Sequence, residues 1–395
     1  MAYTMPTGRN SSPMSSTPSN KSAAVRGRPK KRFIKQAIMM RMLYALAPLA
    51  VAAVYFFGWR AGAVLAAVFA AGMGTEWITS RQRHGPVSTA GLVTCALYGL
   101  SLPPTTPMWI AAVGAVVAVL FGKEVFGGFG KNPFNPAIVG RAFVYICFPV
   151  ELTRQFVPAF GGFPGGFGCW SFESLRQLPA HLADSGRALA DAVSMATPMD
   201  IYRKAGYAVD WRQLALGNIS GTFNDAGVDR IISAGSMGEG CAALIVLAGA
   251  YLLWTRTANW RLMLGGLAGV VVSSVLFRNI LGFAAGVQDG AFVYGIPPLH
   301  LTLLSGTTLY VVVYMITEPV SAPNKKPAQL AYAFLIGFLI VLLRWRGIFV
   351  AAATFAILLG NLIAPHLDMA ATEWAARKKT RAAAPAAETA GEDAP

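Results

Sequence analysis

Charged residues are scarce in this sequence. Only 13% of its 395 residues are Asp, Glu, Lys or Arg, whereas 55% are hydrophobic, and the mean hydropathy is +0.50. An average soluble protein carries about 25% charged residues. So few charges cannot cover so large an apolar fraction with a surface that faces water. The composition therefore excludes a soluble globular domain and indicates an integral membrane protein.

Cysteine and histidine are also few, with four of each in the whole chain. No two cysteines stand close enough for the Cys-x-x-Cys pair of a zinc or iron–sulfur site. The histidines are scattered, which argues against a histidine metal cluster. The sequence thus predicts no metal site, and it leaves open a disulfide between Cys169 and Cys241.

Basic residues outnumber acidic ones, 33 to 18, which gives a net charge of +15. They concentrate at the ends of apolar runs and in two tails, residues 1–36 and 366–395. Anionic lipid head groups and membrane topology account for this distribution without a nucleic-acid partner. Because Lys and Arg favour the cytoplasmic side, we expect both termini to be cytoplasmic. The first tail is rich in Ser and Pro and is predicted to be disordered.

Apolar runs recur along the chain in two groups, at 37–150 and 236–365. A transmembrane helix needs about 20 residues, and several runs are slightly shorter, so we expect one or two broken or re-entrant helices. The pattern predicts an all-α membrane protein of about ten transmembrane helices. Residues 151–235 are predicted to form a long extracytoplasmic loop. The runs lie near 37–57, 61–79, 87–102, 107–122, 136–150, 236–254, 262–282, 298–316, 328–343 and 347–364.

The two halves contain a weak internal repeat. At an offset of 194 residues, Pro103-Pro104 matches Pro297-Pro298 and Glu124 matches Glu318. Transporters built from repeats place the ion or substrate site between the halves. We interpret the match as an internal repeat, which is either parallel or inverted. The alternative is chance similarity between two membrane helices.

Four glutamates stand at the ends of apolar runs and are candidates for an Na⁺ or H⁺ pathway, because a carboxylate in a membrane is costly unless it has a role or a partner. A simpler placement at the head-group level, beside Lys123 or Arg141, is left open. Arg141 and Arg278 are candidates to pair with these acids or to bind a phosphate group, and snorkelling to the interface explains them equally well. The four are Glu76, Glu124, Glu239 and Glu318.

A glycine-rich segment at 121–136 contains Gly127, Gly128, Asn132 and Asn135. Glycines allow a backbone to approach a flat ligand closely, and the amides supply donors and acceptors. The segment is a candidate to grip a flavin or quinone ring. Its alternative is a structural loop between two helices.

Several motifs resemble one family in order along the chain, from about residue 37 to 365. They are the run Gly122–Phe143, the run Pro298–Thr307 and the run Thr317–Ala322. Together they resemble the bacterial NqrB/RnfD family, which joins a membrane component of the sodium-pumping NADH:quinone oxidoreductase (Nqr) with one of the Rnf electron transport complex. The resemblance implies a multi-pass protein of the bacterial inner membrane and a subunit of an ion-translocating oxidoreductase, with no activity of its own in isolation.

The resemblance also implies FMN bound through a phosphoester to a threonine. The family's attachment motif corresponds here to Asp191-Ala-Val-Ser-Met-Ala-Thr197, which makes Thr197 the attachment residue and Asp191 and Ser194 parts of the motif. Met195 replaces the usual glycine. A second, non-covalent riboflavin or quinone is implied near Gly127 and Gly128.

Partners follow from the same resemblance. They are a nucleotide-oxidising subunit, another covalent-FMN subunit, small membrane subunits, and a flavin transferase for maturation. The expected function is electron transfer through the FMN, coupled to Na⁺ or H⁺ transport. The alternative is a non-redox solute channel or transporter with a repeated helical fold, which would lack covalent flavin.

Overall fold

Helices make up most of the chain. The structure is a computed structural model, and it describes residues 33–34, 36–153, 156–171, 197–225, 228–288, 291–347 and 351–391. Residues 1–32 of the first tail and the proposed attachment-motif residues Asp191 and Ser194 lie outside this part of the chain. Most helices coincide with the apolar runs, because a backbone in a membrane must satisfy its hydrogen bonds within the segment.

Five helices form the first half. A short parallel strand pair, β1 (Phe33–Ile34) with β2 (Val87–Ser88), lies at their start. A π-helical turn, Leu120–Glu124, extends the fourth helix. The helices are α1 (Ala37–Phe57), α2 (Trp59–Gln82), α3 (Thr89–Leu100), α4 (Met108–Val119) and α5 (Pro136–Cys147).

The region between the halves contains only short elements in its described parts. Backbone hydrogen bonds from Ala159 to Ile219 and from Ala234 to Val157 join its beginning to its end. The segment 172–196, where the sequence allowed short helices, lies outside the described residues. The elements are α6 (Pro149–Thr153), α7 (Pro198–Ala205), α8 (Trp211–Leu216) and the antiparallel hairpin of β3 (Thr222–Asp225) and β4 (Val228–Ile231).

The second half repeats the helical layout with one helix broken. The second of its helices ends in a π-helical turn, Leu276–Ile280, and a hairpin follows it. The last helix continues well past residue 365, where the hydropathy placed the start of the tail. The elements are α9 (Ala242–Trp254), α10 (Trp260–Val275), β5 (Gly286–Gln288), β6 (Ala291–Val293), α11 (Leu299–Leu304), α12 (Thr308–Tyr310, extended by Val311–Met315), α13 (Lys326–Arg346) and α14 (Ala352–Gly391).

Five described helices are long and apolar enough to cross a membrane: Ala37–Phe57, Trp59–Gln82, Trp260–Ile280, Lys326–Arg346 and Ala352–Lys378. Helices α3, α5 and α9 are apolar but shorter. The expected total of about ten spans therefore stays a prediction for the shorter segments.

Two apolar runs are interrupted. Helix α3 ends at Leu100, and the chain continues through Pro103-Pro104 to α4. The run at 298–316 breaks between α11 and α12, where Gly306 has a φ of +64° that favours glycine. Interrupted helices of this kind leave backbone groups at membrane depth that side chains must satisfy.

Packing in the two halves follows the same order. Helix α2 packs on α4 and α4 on α5, while α10 packs on α13 and α13 on α14. This order pairs α4 with α13 and α3 with the broken α11–α12. The 194-residue offset instead aligns the end of α4 with the end of α12, so Glu124 and Glu318 do not occupy equivalent places in the packing repeat.

Candidate functional site

Thr197 occupies the N-cap of α7. Its φ and ψ of −66° and 158° are extended, Pro198 follows at the first helical position, and the Asp200 backbone N–H donates to its Oγ1 at 3.4 Å. The first N–H groups of a helix have no partner within the helix and favour a negative group. A phosphate on this hydroxyl would therefore lie at the positive end of α7.

Thr197 lines a cavity of about 110 Å³. Its walls come from α5, α7, the loop before α9, the break between α11 and α12, and the end of α13. Charged side chains are unusually frequent in this wall: Arg141, Asp200, Arg203, Glu239 and Arg344. The structure thus places the predicted attachment residue beside one of the four candidate acids.

Arg141 and Glu239 form a buried pair in the wall of this cavity. Their nitrogen and oxygen atoms are 3.6 Å apart, and Arg141 also donates to the Ser101 carbonyl at 2.6 Å, just beyond the end of α3. The cation thereby satisfies the negative end of an interrupted helix. Arg141 Nε and Glu239 Oε1 are buried and have no hydrogen-bond partner among the described residues.

Arg344 likewise binds the carbonyl end of the helix at the other interruption. Its guanidinium donates to the Ser305 carbonyl at 3.4 Å, just beyond α11, and to Thr307 Oγ1 at 3.1 Å and Thr308 Oγ1 at 2.7 Å. Ser305 Oγ, which is buried in the same wall, has no partner. An arginine therefore binds the carbonyl end of each of α3 and α11, and both arginines line the same cavity.

Arg203 belongs to α7, the helix that Thr197 caps. It donates to the Gly347 carbonyl at 2.7 Å and lies 5.0 Å from the Tyr294 ring centre. Tyr294 in turn donates to the Arg344 carbonyl at 3.3 Å, and burial raises the pKa of its hydroxyl. These contacts fix α7 against the end of α13, so the position of Thr197 over the cavity is held by tertiary contacts.

The residues around the cavity have the chemistry to bind a flavin with a phosphate. The N-terminus of α7 lies beside the cavity. Arg141, Glu239 and Ser305 line the wall, and each has a buried polar atom without a hydrogen-bond partner among the described residues. An isoalloxazine ring carries both carbonyl acceptors and an N–H donor, which match such a mixed set. The sequence did not single out Arg203 or Arg344. A basic residue at the end of an apolar run is ordinarily explained by snorkelling.

The four residues predicted to grip a ring line two different cavities. Asn132 and Asn135 line a cavity of about 40 Å³, whereas Gly127 and Gly128 line an open one of about 500 Å³. Both glycines have positive φ, +102° and +94°, so backbone geometry alone requires them.

The two asparagines have structural partners as well. Asn135 caps α5 by accepting from the Ala137 N–H at 3.0 Å, and it donates to the Met315 carbonyl at 3.2 Å. Asn132 donates to the Phe134 carbonyl at 3.0 Å. A structural loop therefore accounts for these contacts, and the two cavities stay as candidate ring sites.

Lys123 holds two of the candidate acids together. Its Nζ lies 2.7 Å from Glu76 Oε1 and 3.8 Å from Glu124 Oε1, and it donates to Ser88 Oγ at 2.9 Å. Arg83 forms a further ion pair with Glu124. These acids are thus neutralised inside the bundle.

Glu318 differs from the other acids. It accepts from Ser321, through both its backbone N–H and its hydroxyl, and from Asn132 at 3.5 Å. No ion pair to it is found within the described residues. Arg278 contacts no acid there either: it donates to the Ile296 carbonyl at 2.6 Å and to the Tyr202 hydroxyl at 3.4 Å. Cys169 and Cys241 are free thiols, so the disulfide is not formed.

Interrupted helices that end on buried charged side chains define a membrane protein of the transport class. The family model described as NQR2, RnfD, RnfE family matches residues 30–376. The chain belongs to this family, as its motifs indicated.

Curated relatives agree with the family match. The NqrB-type subunit of the Na(+)-translocating NADH-quinone reductase of Azotobacter vinelandii is 33% identical over 306 residues, which are 77% of this chain and 65% of the relative. The RnfD-type subunit of the ion-translocating oxidoreductase complex of Marinobacter nauticus is 33% identical over 353 residues, which are 87% and 91% of the two chains. The chain therefore spans slightly less than two thirds of the first relative and nearly all of the second.

Proposed function

We propose that the chain is the membrane subunit of an Na⁺- or H⁺-translocating, flavin-based electron transport complex of the Nqr or Rnf type. In this role it carries FMN on Thr197 and acts only together with other subunits. The observation that carries the proposal is the charged cavity beside Thr197, where Arg141, Glu239 and Ser305 keep unpaired polar atoms. The names of the relatives, both subunits of ion-translocating complexes, support the same role.

Bound FMN would supply one- and two-electron transfer. The chain's own residues would hold it: Thr197 Oγ1 through the phosphoester, the α7 N-terminus against the phosphate, and the cavity wall against the ring. Electrons would arrive from a nucleotide-oxidising subunit and a second covalent-FMN subunit. A flavin transferase would load the cofactor, and a riboflavin or quinone would occupy one of the cavities lined by Gly127 and Gly128 or by Asn132 and Asn135.

The candidate glutamates would bind the transported ion. Glu239 lies beside the flavin cavity, whereas Lys123, with Glu76 and Glu124, lies near the start of α5. Helix α5 joins the two places: Arg141 follows the Asn135 cap by six residues, about 9 Å along a helix axis. A change of charge in the flavin cavity would therefore act on Glu239 over a short distance and change the ion occupancy there.

The decisive test is covalent flavin at Thr197. We expect the chain, co-expressed with a flavin transferase and its partner subunits, to give a fluorescent band on a denaturing gel, and Thr197→Ala to abolish that band. Thr222→Ala is the matched control, because Thr222 is an exposed threonine in a similar Ser-Gly-Thr context. It should leave fluorescence unchanged.

Two results would contradict the proposal. Fluorescence that persists in Thr197→Ala would place the flavin elsewhere. A colourless parent chain that moves solute without an electron donor would favour the channel or transporter.

A further inference from the structure

Arg344 is a cavity cation whose hydrogen-bond partners are all neutral groups. Its hydrogen-bond partners are two threonine hydroxyls and a carbonyl, and no ion pair to it is found within the described residues. Arg141, by contrast, is paired with Glu239. Arg203 is turned to a carbonyl and to the Tyr294 ring. Arg344 and Arg203 therefore have no ion pair within the described residues, whereas Arg141 has one, and Glu239 partly offsets the Arg344 charge from a distance.

The backbone around Arg344 is shaped for close approach. A Cβ built on Gly306 would lie only 3.1 Å from an Arg344 terminal nitrogen. The positive φ of Gly306 and its missing side chain thus let the guanidinium reach the helix break. The same break lines the cavity that Thr197 borders. Glycine and arginine together bring a fixed positive charge to the wall of the proposed flavin cavity.

We propose that Arg344 is the positioning residue of the flavin carried by Thr197, binding the carbonyl edge of its ring and setting its redox potential. This inference rests on the proposed function. Reduction adds two electrons from a partner flavin or iron–sulfur centre, or from dithionite in the experiment, and one proton, so the ring gains one negative charge. A guanidinium at the carbonyl edge stabilises that charge, and charge near this edge is a known means by which proteins tune flavins.

The test is a redox titration of the assembled, flavinylated complex with dithionite, followed by the visible absorbance of the covalent flavin. Arg344→Gln removes the charge but keeps a donor. We expect its midpoint potential to fall, with about a tenfold shift of the equilibrium toward the oxidised form, about 30 mV for a two-electron couple. Arg344→Lys keeps the charge but loses the planar fork, so its midpoint potential should lie between those of Arg344→Gln and the parent.

Arg346→Gln is the matched control, because Arg346 is exposed, stacks on Trp345 and ends the same helix. Its potential should equal that of the parent. An unchanged potential in Arg344→Gln, with covalent fluorescence retained, would overturn the inference, as would an equal fall in Arg346→Gln. If Arg344→Gln does not assemble, Arg344→Lys decides, and an unshifted potential in it refutes the idea. Absence of covalent fluorescence in the parent chain would instead refute the proposed function.

Discussion

Lys123 shows how this protein keeps a charged side chain inside an apolar bundle. The side chain is 3% exposed and reaches two carboxylates and a serine hydroxyl. Removing two charges from water is costly, and mutual attraction compensates only when hydrogen bonds satisfy the remaining atoms. Glu76 Oε2 and Glu124 Oε1 have no hydrogen-bond partner. Within the described residues the cluster is therefore incompletely satisfied, and the proposed ion pathway would supply the missing partner.

Glu318 gives the sharpest residue-level test of the ion pathway. Its hydrogen bonds come from neutral groups, so Glu318→Gln removes the charge and leaves no described cation unpaired. We expect thermal stability in detergent to change by less than about 1 kcal/mol and the covalent flavin to stay. Na⁺ or H⁺ uptake that depends on electron flow should fall at least tenfold in vesicles.

Glu373→Gln, at an exposed position of α14, should leave that uptake unchanged. Full uptake in Glu318→Gln would remove this acid from the pathway.

At the scale of elements, α10 and α13 approach each other through glycines. A Cβ on Gly337 would lie 2.2 Å from the Gly266 carbonyl oxygen, and one on Gly269 would lie 2.2 Å from the Phe334 carbonyl oxygen. Both contacts are with backbone, which cannot turn aside as a side chain can. Apolar lipid gives no hydrophobic driving force between helices. Small residues at a helix interface promote association because they let the two backbones pack closely.

Gly337→Ala should therefore separate α10 from α13. We expect a loss of about 1–3 kcal/mol in the free energy of unfolding, which is typical of overpacking. Thermal unfolding in detergent, followed by tryptophan fluorescence, measures it. Gly74→Ala in α2 is the control, because no atom lies within 4 Å of a Cβ at Gly74. Equal stability of both variants would contradict the close packing described here.

The interruptions also bear on the sense of the repeat. Five helices precede the central region, so helices of equal rank in the two halves run in opposite directions if each crosses the bundle. Arg141 and Arg344, which line one cavity, donate to the carbonyls just beyond α3 and α11. This arrangement favours an inverted repeat, the type in which half-helix ends form ion and substrate sites.

At the scale of the whole molecule, the proposed orientation can be tested by labelling. Phe163, in the central region, is 93% exposed, and Arg377 lies on the exposed far part of α14. In a background without native cysteines, we expect a membrane-impermeant maleimide to label Phe163→Cys in intact cells and Arg377→Cys only after permeabilisation. The reason is the basic tails, which favour the cytoplasmic side. The reverse labelling would invert the topology.

Much of the helical layout was accessible from hydropathy alone. The run predicted at 37–57 coincides with α1. The short runs suggested one or two broken helices without saying which, and the structure shows one break at Ser305-Gly306-Thr307. A position of the acids beside Lys123 or Arg141 was one of two alternatives that the sequence left open, and it did not specify that Lys123 pairs with Glu76. Arg344 was missed because an arginine at the end of an apolar run has an ordinary explanation in lipid contact. Arg203 was missed because it lies in the predicted loop, where nothing in the sequence sets it apart.

The sequence by itself determined the membrane class, the family and the candidate attachment residue Thr197, because apolar run length and motif order are local properties of the chain. Only the tertiary structure decided what surrounds Thr197. Arg203 meets Gly347 across 144 positions and Arg141 meets Ser101 across 40. Such contacts depend on how interrupted helices pack against one another, because their exposed carbonyls must find cations inside the bundle.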